Sequence, residues 1–328
     1  MTPFHRSLPA RALRGACLLL GLLAGSLALA QQYPARPIRV LVGVPPGGST
    51  DAQARMFAEW LQDSLGQSAF VENRPGANTA LAAEGVARAA PDGHSLLVAT
   101  DAFLAMPLLT KVSFDPFKDF APVGVLALNR FVLAVHPNVP VNNVQELVAW
   151  LKARPGKANY GSSGNAGASH LGLEKFKILT GTEFTHIPYK GAGPALTDAI
   201  AGRYEISMWT PTAIAGHVKA GKLKALAVTG PKRVAALPQV PTFAEAGLPA
   251  YDHTAWQAVF ATAGTPRPVI DRLNGEIARM VASAKVKQKL DEAGVEAMAV
   301  KPEQMAEMLR NDSAELAKLI RTANIRMD

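Results

Sequence analysis

The sequence contains almost no cysteine. Its one cysteine among 328 residues is Cys17, which lies near the start of an apolar run close to the N-terminus. A chain with no other cysteine can form no intramolecular disulfide and offers no thiol nucleophile once that run is removed. Disulfide-stabilised scaffolds and cysteine-dependent enzymes are therefore excluded for the expected mature chain.

Long apolar runs are also missing beyond the first thirty residues. Arginines at 6, 11 and 14 precede the apolar stretch 16–29, and Ala28-Leu29-Ala30 provides a small-x-small cleavage signal. The stretch is shorter than the roughly 20 residues that a helix needs to cross a bilayer. These features predict a secretory signal peptide cleaved after Ala30 and an exported chain.

Several enzyme and cofactor motifs do not occur. The chain has no G-x-x-x-x-G-K-[ST] and no G-x-G-x-x-G motif, and Gly161-Ser162-Ser163-Gly164 is one residue short of a G-x-S-x-G nucleophile elbow. No histidine after the leader lies three to five residues from another, and no carboxylate pair stands out. We therefore expect no metal, no cofactor and no catalytic residues, although an exported enzyme on the same fold stays open as an alternative.

The charges are dispersed rather than clustered. Without the three leader arginines, 31 basic residues stand against 26 acidic ones. The chain shows no Lys/Arg run and no alternation of aromatic and basic residues, so a nucleic-acid partner is not expected. The small positive excess is compatible with attracting anionic solutes.

Strand and helix patterns alternate along the chain, which predicts an α/β protein with mainly parallel sheets. The length after the leader predicts two domains. Residues 123–135 are interpreted as two strand pieces or one bent strand leaving the first domain, and residues 255–261 as a strand returning to it. Asp101 is followed by a short loop containing Pro107, and helices near 268–283 and 302–322 close the chain.

Two glycine-rich turns join a predicted strand to a predicted helix. The first corner, residues 46–51, follows the strand 38–44 and opens a helix at Ser49, Thr50 or Asp51 that closes at Gly66. The second corner, residues 162–169, follows the strand 158–162 and opens a helix that runs to Thr180. A helix start has free N–H groups and positive dipole potential, so it suits an anionic group. Ordinary β-α turns with capping residues are the alternative.

The motifs at and between these corners resemble those of one family. The stretches are PPGGSTDAQAR at 45–55, VENRPGAN at 71–78, NYGSSGNAGASHLGLEKF at 159–176, HIPYKGAGPALTDAIAGRYE at 186–205 and VPTFAEAGLP at 240–249. They resemble the Bug (TctC-like) family, the periplasmic solute receptors of tripartite tricarboxylate transporters. The resemblance implies a type II periplasmic-binding-protein fold, with two α/β domains joined by two crossover strands around a cleft. Domain one is then 33–128 plus 253–328, and domain two is 129–252.

Carried onto this sequence, the resemblance implies a carboxylate held by both corners and by neighbouring strand ends. The implied ligand-binding residues are Pro46, Gly47, Gly48, Ser49, Thr50, Asp51, Thr100, Asp101, Ala102, Ser162, Ser163, Gly164, Asn165, Ala166, His170, Tyr189, Lys190, Gly191, Trp209 and Thr210. Four of them have open alternatives. In these alternatives, Asp51 and His170 are helix-capping or packed residues that do not contact the ligand. Lys190 would be a solvated charge, and Trp209 would be a core residue.

The sequence departs from the family pattern at Thr210, where an acid is frequent. That loss argues against an amino-acid ligand, unless Asp101 restores an acidic group instead of capping the following turn. The implied function is capture of a small organic acid and its delivery to membrane permease subunits by a monomeric periplasmic receptor. Presentation of the solute to a membrane sensor is the alternative.

Overall fold

The computed structural model describes residues 33–76 and 79–326. The expected signal peptide and its cleavage site lie outside this part of the chain. The strands are β1 Ile38–Val42, β2 Ala69–Asn73, β3 Ser95–Thr100, β4 Phe120–Asn129, β5 Val132–Val135, β6 Asn159–Ser162, β7 Thr185–Pro188, β8 Ile206–Trp209, β9 Lys224–Val228, β10 Ala255–Thr262 and β11 Val295–Glu296. The helices are α1 Ser49–Leu65, α2 Ala80–Ala87, α3 Ala102–Leu109, α4 Val144–Lys152, α5 Ala168–Thr180, α6 Ala192–Ile200, α7 Pro211–Lys219, α8 Arg267–Ala282, α9 Ala284–Glu292 and α10 Pro302–Thr322.

The strands form two mixed sheets. The first has the order β11-β4-β10-β3-β1-β2 and the second β7-β6-β8-β5-β9. In the first sheet β1, β2 and β3 are parallel, whereas β10 runs antiparallel to both β3 and β4. In the second, β6 is parallel to β7 and β8, whereas β5 runs antiparallel to β8 and β9. The chain is thus an α/β protein, as its alternating pattern predicts, but the expectation of mainly parallel sheets was wrong, because the strands next to the crossovers, β4, β5 and β10, pair antiparallel with their neighbours.

Helices cover both faces of each sheet, which explains why the strands are apolar on both faces. Leu41 and Phe260 of the first sheet pack in one core cluster, and Val40 and Val259 pack in another. The second sheet likewise separates a cluster around Leu133 from one around Val132. Alternate residues of one strand therefore enter different cores, as the two-residue period of a strand requires.

The chain passes between the sheets twice. The first crossover is Arg130-Phe131, between β4 and β5, which confirms two strand pieces in the stretch 123–135. The second crossover comprises residues 229–254, between β9 and β10. Asn129 pairs with Ala255 in the first sheet, and Val132 pairs with Trp209 in the second. Asn129 and Val132 are three residues apart, so their Cα atoms lie at most about 11 Å apart. The carboxyl edges of the two sheets are therefore adjacent.

Some sequence-based expectations about secondary structure were wrong. Pro107 lies inside the helix α3 rather than in a loop. This helix is short, and its residues 102–106 are buried, so burial of its apolar side chains outweighs the loss of one backbone hydrogen bond at the proline. The helix α9 and the two-residue strand β11 were not expected at all. No helix among the described residues is long and apolar enough to cross a bilayer.

Candidate functional site

The first corner is an open glycine turn. Gly47 has φ of 93°, a conformation that glycine adopts without steric cost, and Gly48 is the N-cap of α1. A Cβ atom added at either glycine would meet no atom within 4 Å. Pro46, Gly47, Gly48 and Ser49 are exposed, and within the described chain no side chain caps the helix. The positive helix start is thus accessible to a solute.

Asp51 holds this turn in shape. Its carboxylate accepts hydrogen bonds from the Gly47 N–H at 3.0 Å, from Arg55 Nε at 2.9 Å and from Asn73 Nδ2 at 2.8 Å. Burial opposes ionisation of the Asp51 carboxyl, but the hydrogen bonds from Arg55, Gly47 and Asn73 outweigh it and lower its pKa. Both oxygens of the Asp51 carboxylate are engaged within the protein, which favours a structural role for Asp51 over contact with a solute.

The second corner is partly buried, and the hydroxyl groups of Ser162 and Ser169 hold its backbone by hydrogen bonds. Ser162 is fully buried, and its Oγ lies 2.6 Å from His186 Nε2 and donates to the Gly164 carbonyl at 3.0 Å. The Ser163 N–H donates to Ser169 Oγ at 3.2 Å. Ser163, Gly164 and Asn165 keep partial exposure, so this part of the loop faces solvent.

His170 supports the tightest point of that loop. Ala166 has φ of 56°, a left-handed conformation unusual for alanine, and its N–H donates to His170 Nδ1 at 2.9 Å. The His170 ring stacks on that of His186, with centroids 3.8 Å apart. Burial, followed by the charge of Lys177, lowers the pKa of His170 to about 4. The neutral ring can therefore accept the Ala166 hydrogen bond at neutral pH.

A third loop rests on the second corner. The Tyr189 N–H donates to the Ser162 carbonyl, and the Gly191 N–H donates to the Ser163 carbonyl, both at 3.1 Å. The Tyr189 hydroxyl donates to Asp198 at 2.8 Å, and Lys190 is exposed. Two backbone hydrogen bonds thus hold residues 189–191 against the second corner.

The strand ends behind the corners are mostly buried. Asp101 caps α3 by accepting from the Ala102 N–H at 3.1 Å, and burial raises the pKa of its carboxyl to about 7. Ala102 is buried, while Thr100 and Thr210 are half-buried. Trp209 is 4% exposed within the core cluster of Val132 and Ile214, which favours the core alternative, and its indole N–H has no hydrogen-bond partner in the described chain.

Both corners attach to one short segment of the chain. His253 Nε2 donates to the Ala168 carbonyl at 2.8 Å, at the start of α5. Gln257 Nε2 donates to Ser49 Oγ at 3.1 Å, at the start of α1. His253 and Gln257 are four residues apart, so their Cα atoms lie at most about 14 Å from one another. The anchors of the two helix starts are therefore close enough for one small organic molecule to contact both helices.

The sequence places four residues that organise this region only in the expected hinge segments 129–135 and 253–257, and not among the site residues: Asn129, Arg130, His253 and Gln257. Gln257 and the terminal Thr262 are the polar residues of the buried strand β10, and Gln257 is the one in its interior, a signal that the sequence does carry. Arg130 contacts Glu296 and donates to the Lys232 carbonyl at 2.7 Å, linking the first sheet to a loop of the second. A cavity of about 500 Å³ opens beside Arg130, lined by residues of α9 and β11, and it includes no predicted site residue.

Comparison with known proteins identifies the family. Residues 53–325 match the family model described as the tripartite tricarboxylate transporter family receptor, TctC. The chain belongs to this family. Its members are periplasmic solute-binding receptors and not enzymes, and the structural likeness confirms the periplasmic-binding-protein fold.

Three relatives show how far the similarity extends. BugT of Bordetella pertussis is 33% identical over 301 residues, covering 91% of this chain and 92% of that protein. An R. palustris protein solved with adipate is 35% identical with a TM-score of 0.81, covering 90% of this chain and 99% of that one. MatC from Rhodopseudomonas palustris with bound malate is 29% identical with a TM-score of 0.75, covering 88% of this chain and 100% of that one.

Proposed function

We propose that this receptor captures a small dicarboxylate between its two sheets and delivers it to the membrane permease of a tripartite transporter. The observation that carries this proposal is the joint anchoring of both helix starts to residues 253–257. Two positive helix ends can hold one carboxylate from two sides. The residues that we infer to contact it are Gly47, Gly48, Ser49 and Thr50 of the first corner and Ser163, Gly164 and Asn165 of the second.

The ligand is inferred to carry no ammonium group. Thr210 offers no charge at the position where an acid would pair with an amine. Asp101 is committed to capping α3, and its raised pKa means that the carboxyl is partly neutral near pH 7. Two relatives were solved with adipate and with malate, which supports dicarboxylates and hydroxy acids as the class to test.

The cycle that we propose has its hinges at the two crossovers, in residues 129–135 and 253–257. Domain one, 33–128 plus 253–328, contains the first corner, and domain two, 129–252, contains the second. A ligand that contacts both corners stabilises the closed state, because only contacts with both halves favour closure. We propose further that the chain works as a monomer in the periplasm after cleavage behind Ala30.

Thermal unfolding tests the ligand class. At a free concentration of one hundred times its dissociation constant, the correct acid should stabilise the protein by about 2.7 kcal/mol, a rise in melting temperature of roughly 5 °C. The screen should compare adipate, malate and succinate with aspartate, glucose and sodium chloride at equal ionic strength. Stabilisation by sugars or cations, with no response to any carboxylate, would show that the proposed ligand class is wrong.

A further inference from the structure

Gln257 lies directly beneath the first corner. Its side chain is fully buried in β10, where it pairs with Thr100 across the sheet. The amide nitrogen donates to Ser49 Oγ at 3.1 Å and to Thr50 Oγ1 at 3.3 Å. Both N–H hydrogens of the amide are therefore used on the two hydroxyl groups that open α1.

These hydrogen bonds determine which of the two hydroxyl groups can still donate to a ligand. Ser49 also donates its hydrogen to Asn129 Oδ1 at 3.3 Å, so its O–H is engaged within the protein. Thr50 accepts from Gln257, and we find no acceptor for its hydrogen among the described residues. Because the amide occupies one side of the Thr50 oxygen, the O–H is directed away from Gln257 and is available to an outside acceptor.

The other end of the amide is unusual. Gln257 Oε1 is buried and has no hydrogen-bond partner in the part of the chain that the structure describes. An unpaired buried acceptor is unfavourable for folding. An apolar side chain of similar shape would avoid this penalty, so stability does not account for glutamine at this position.

We propose that Gln257 is a positioning residue that, together with Asn129, orients the first-corner hydroxyls so that Thr50 donates to the ligand carboxylate. This inference rests on the proposed function. It adds two positioning residues outside both corners, Asn129 at the end of β4 and Gln257 in β10, next to the crossovers that connect the two halves. A carboxylate gains most from such a donor, because hydrogen bonds to a charged acceptor are stronger than neutral ones.

The test is a double-mutant cycle on the affinity for the best acid in the thermal screen, measured by titration calorimetry. Gln257→Met and Thr50→Val should each weaken binding about tenfold. If Gln257 acts through Thr50, the double variant should also lose about tenfold rather than one hundredfold. The melting temperature of ligand-free Gln257→Met should be unchanged or higher, because the variant removes the unpaired acceptor.

Gln145 offers a matched control in the other half of the molecule. Its side-chain amide donates to the Ala246 carbonyl, away from both corners. Gln145→Met should leave the affinity unchanged. Unaltered affinity in Gln257→Met, or losses that multiply in the double variant, would overturn the positioning role. Absence of carboxylate binding by the unaltered protein would instead refute the proposed function, so the two failures are distinguishable.

Discussion

Replacing Asp51 by alanine is expected to lower the free energy of unfolding by about 3 kcal/mol and to weaken carboxylate binding at least tenfold. The carboxylate of Asp51 accepts from the Gly47 N–H, Arg55 and Asn73. Its removal leaves the turn N–H and the Asn73 amide without their charged acceptor, and the exposed glycines lose their fixed geometry. Chemical denaturation and calorimetric titration measure the two effects.

Asp63→Ala is the matched control, since Asp63 is exposed on the same helix α1. An exposed substitution of this kind should stay within about 0.5 kcal/mol of the unaltered protein. The stability of Asp51→Asn should lie between those of Asp51→Ala and Asp63→Ala, because the single amide oxygen can accept only some of the three hydrogen bonds that the carboxylate accepts. Full affinity in Asp51→Ala would show that the turn keeps its shape without this carboxylate.

Acid should destabilise the second corner through His170. The pKa of this group is about 4 in the folded chain and has an ordinary value of 6.5. As the pH falls below 6.5, the unfolded chain takes up a proton that the folded chain does not bind until about pH 4. The free energy of unfolding therefore decreases in this window, by about 1.5 kcal/mol between pH 6.5 and pH 5 from His170 alone.

Other buried groups titrate in the same range, so the test is a difference between two proteins. Burial lowers the pKa of His253 to about 4, which adds to the loss, whereas the raised pKa of Asp101 stabilises the folded chain as the pH falls. Both contributions cancel when His170→Asn is compared with the unaltered protein. The asparagine oxygen can still accept from Ala166 but does not titrate.

Between pH 7 and pH 5, the unaltered protein should lose about 2 kcal/mol more stability than His170→Asn. His217→Asn, a substitution at the far end of α7, should behave like the unaltered protein. Parallel stability curves for His170→Asn and the unaltered protein would contradict this account.

The local features of the two corners could be predicted from the sequence. Glycine at the turn and at the helix ends leaves a clear signal, and Gly66 and Gly181 adopt the left-handed conformation expected of helix caps. The capping or packed alternatives for Asp51 and His170 also rest on residue types and spacing within one turn of helix. Such features depend on neighbours in the chain, so the sequence alone reveals them.

The side-chain contacts that anchor the two corners to residues 253–257 could not be predicted in the same way. Gln257 contacts Ser49, 208 residues earlier in the chain, and His253 contacts Ala168, 85 residues earlier. Nothing near either residue in the sequence marks these partners. The helix at Pro107 was missed for a related reason, since its stability comes from burial against distant strands rather than from its own helix propensity.

One ligand held by both halves at once should draw the two halves together, and a distance measurement across the cleft tests this most directly. Ala52 and Ala192 are exposed, one just behind the first corner and one just beyond the Tyr189 loop. The chain from residue 31 onward has no cysteine, so Ala52→Cys and Ala192→Cys can be spin-labelled as a unique pair. We predict that saturating dicarboxylate shifts the distance distribution between the labels to shorter values. An unchanged distribution at saturation would contradict capture between the two halves.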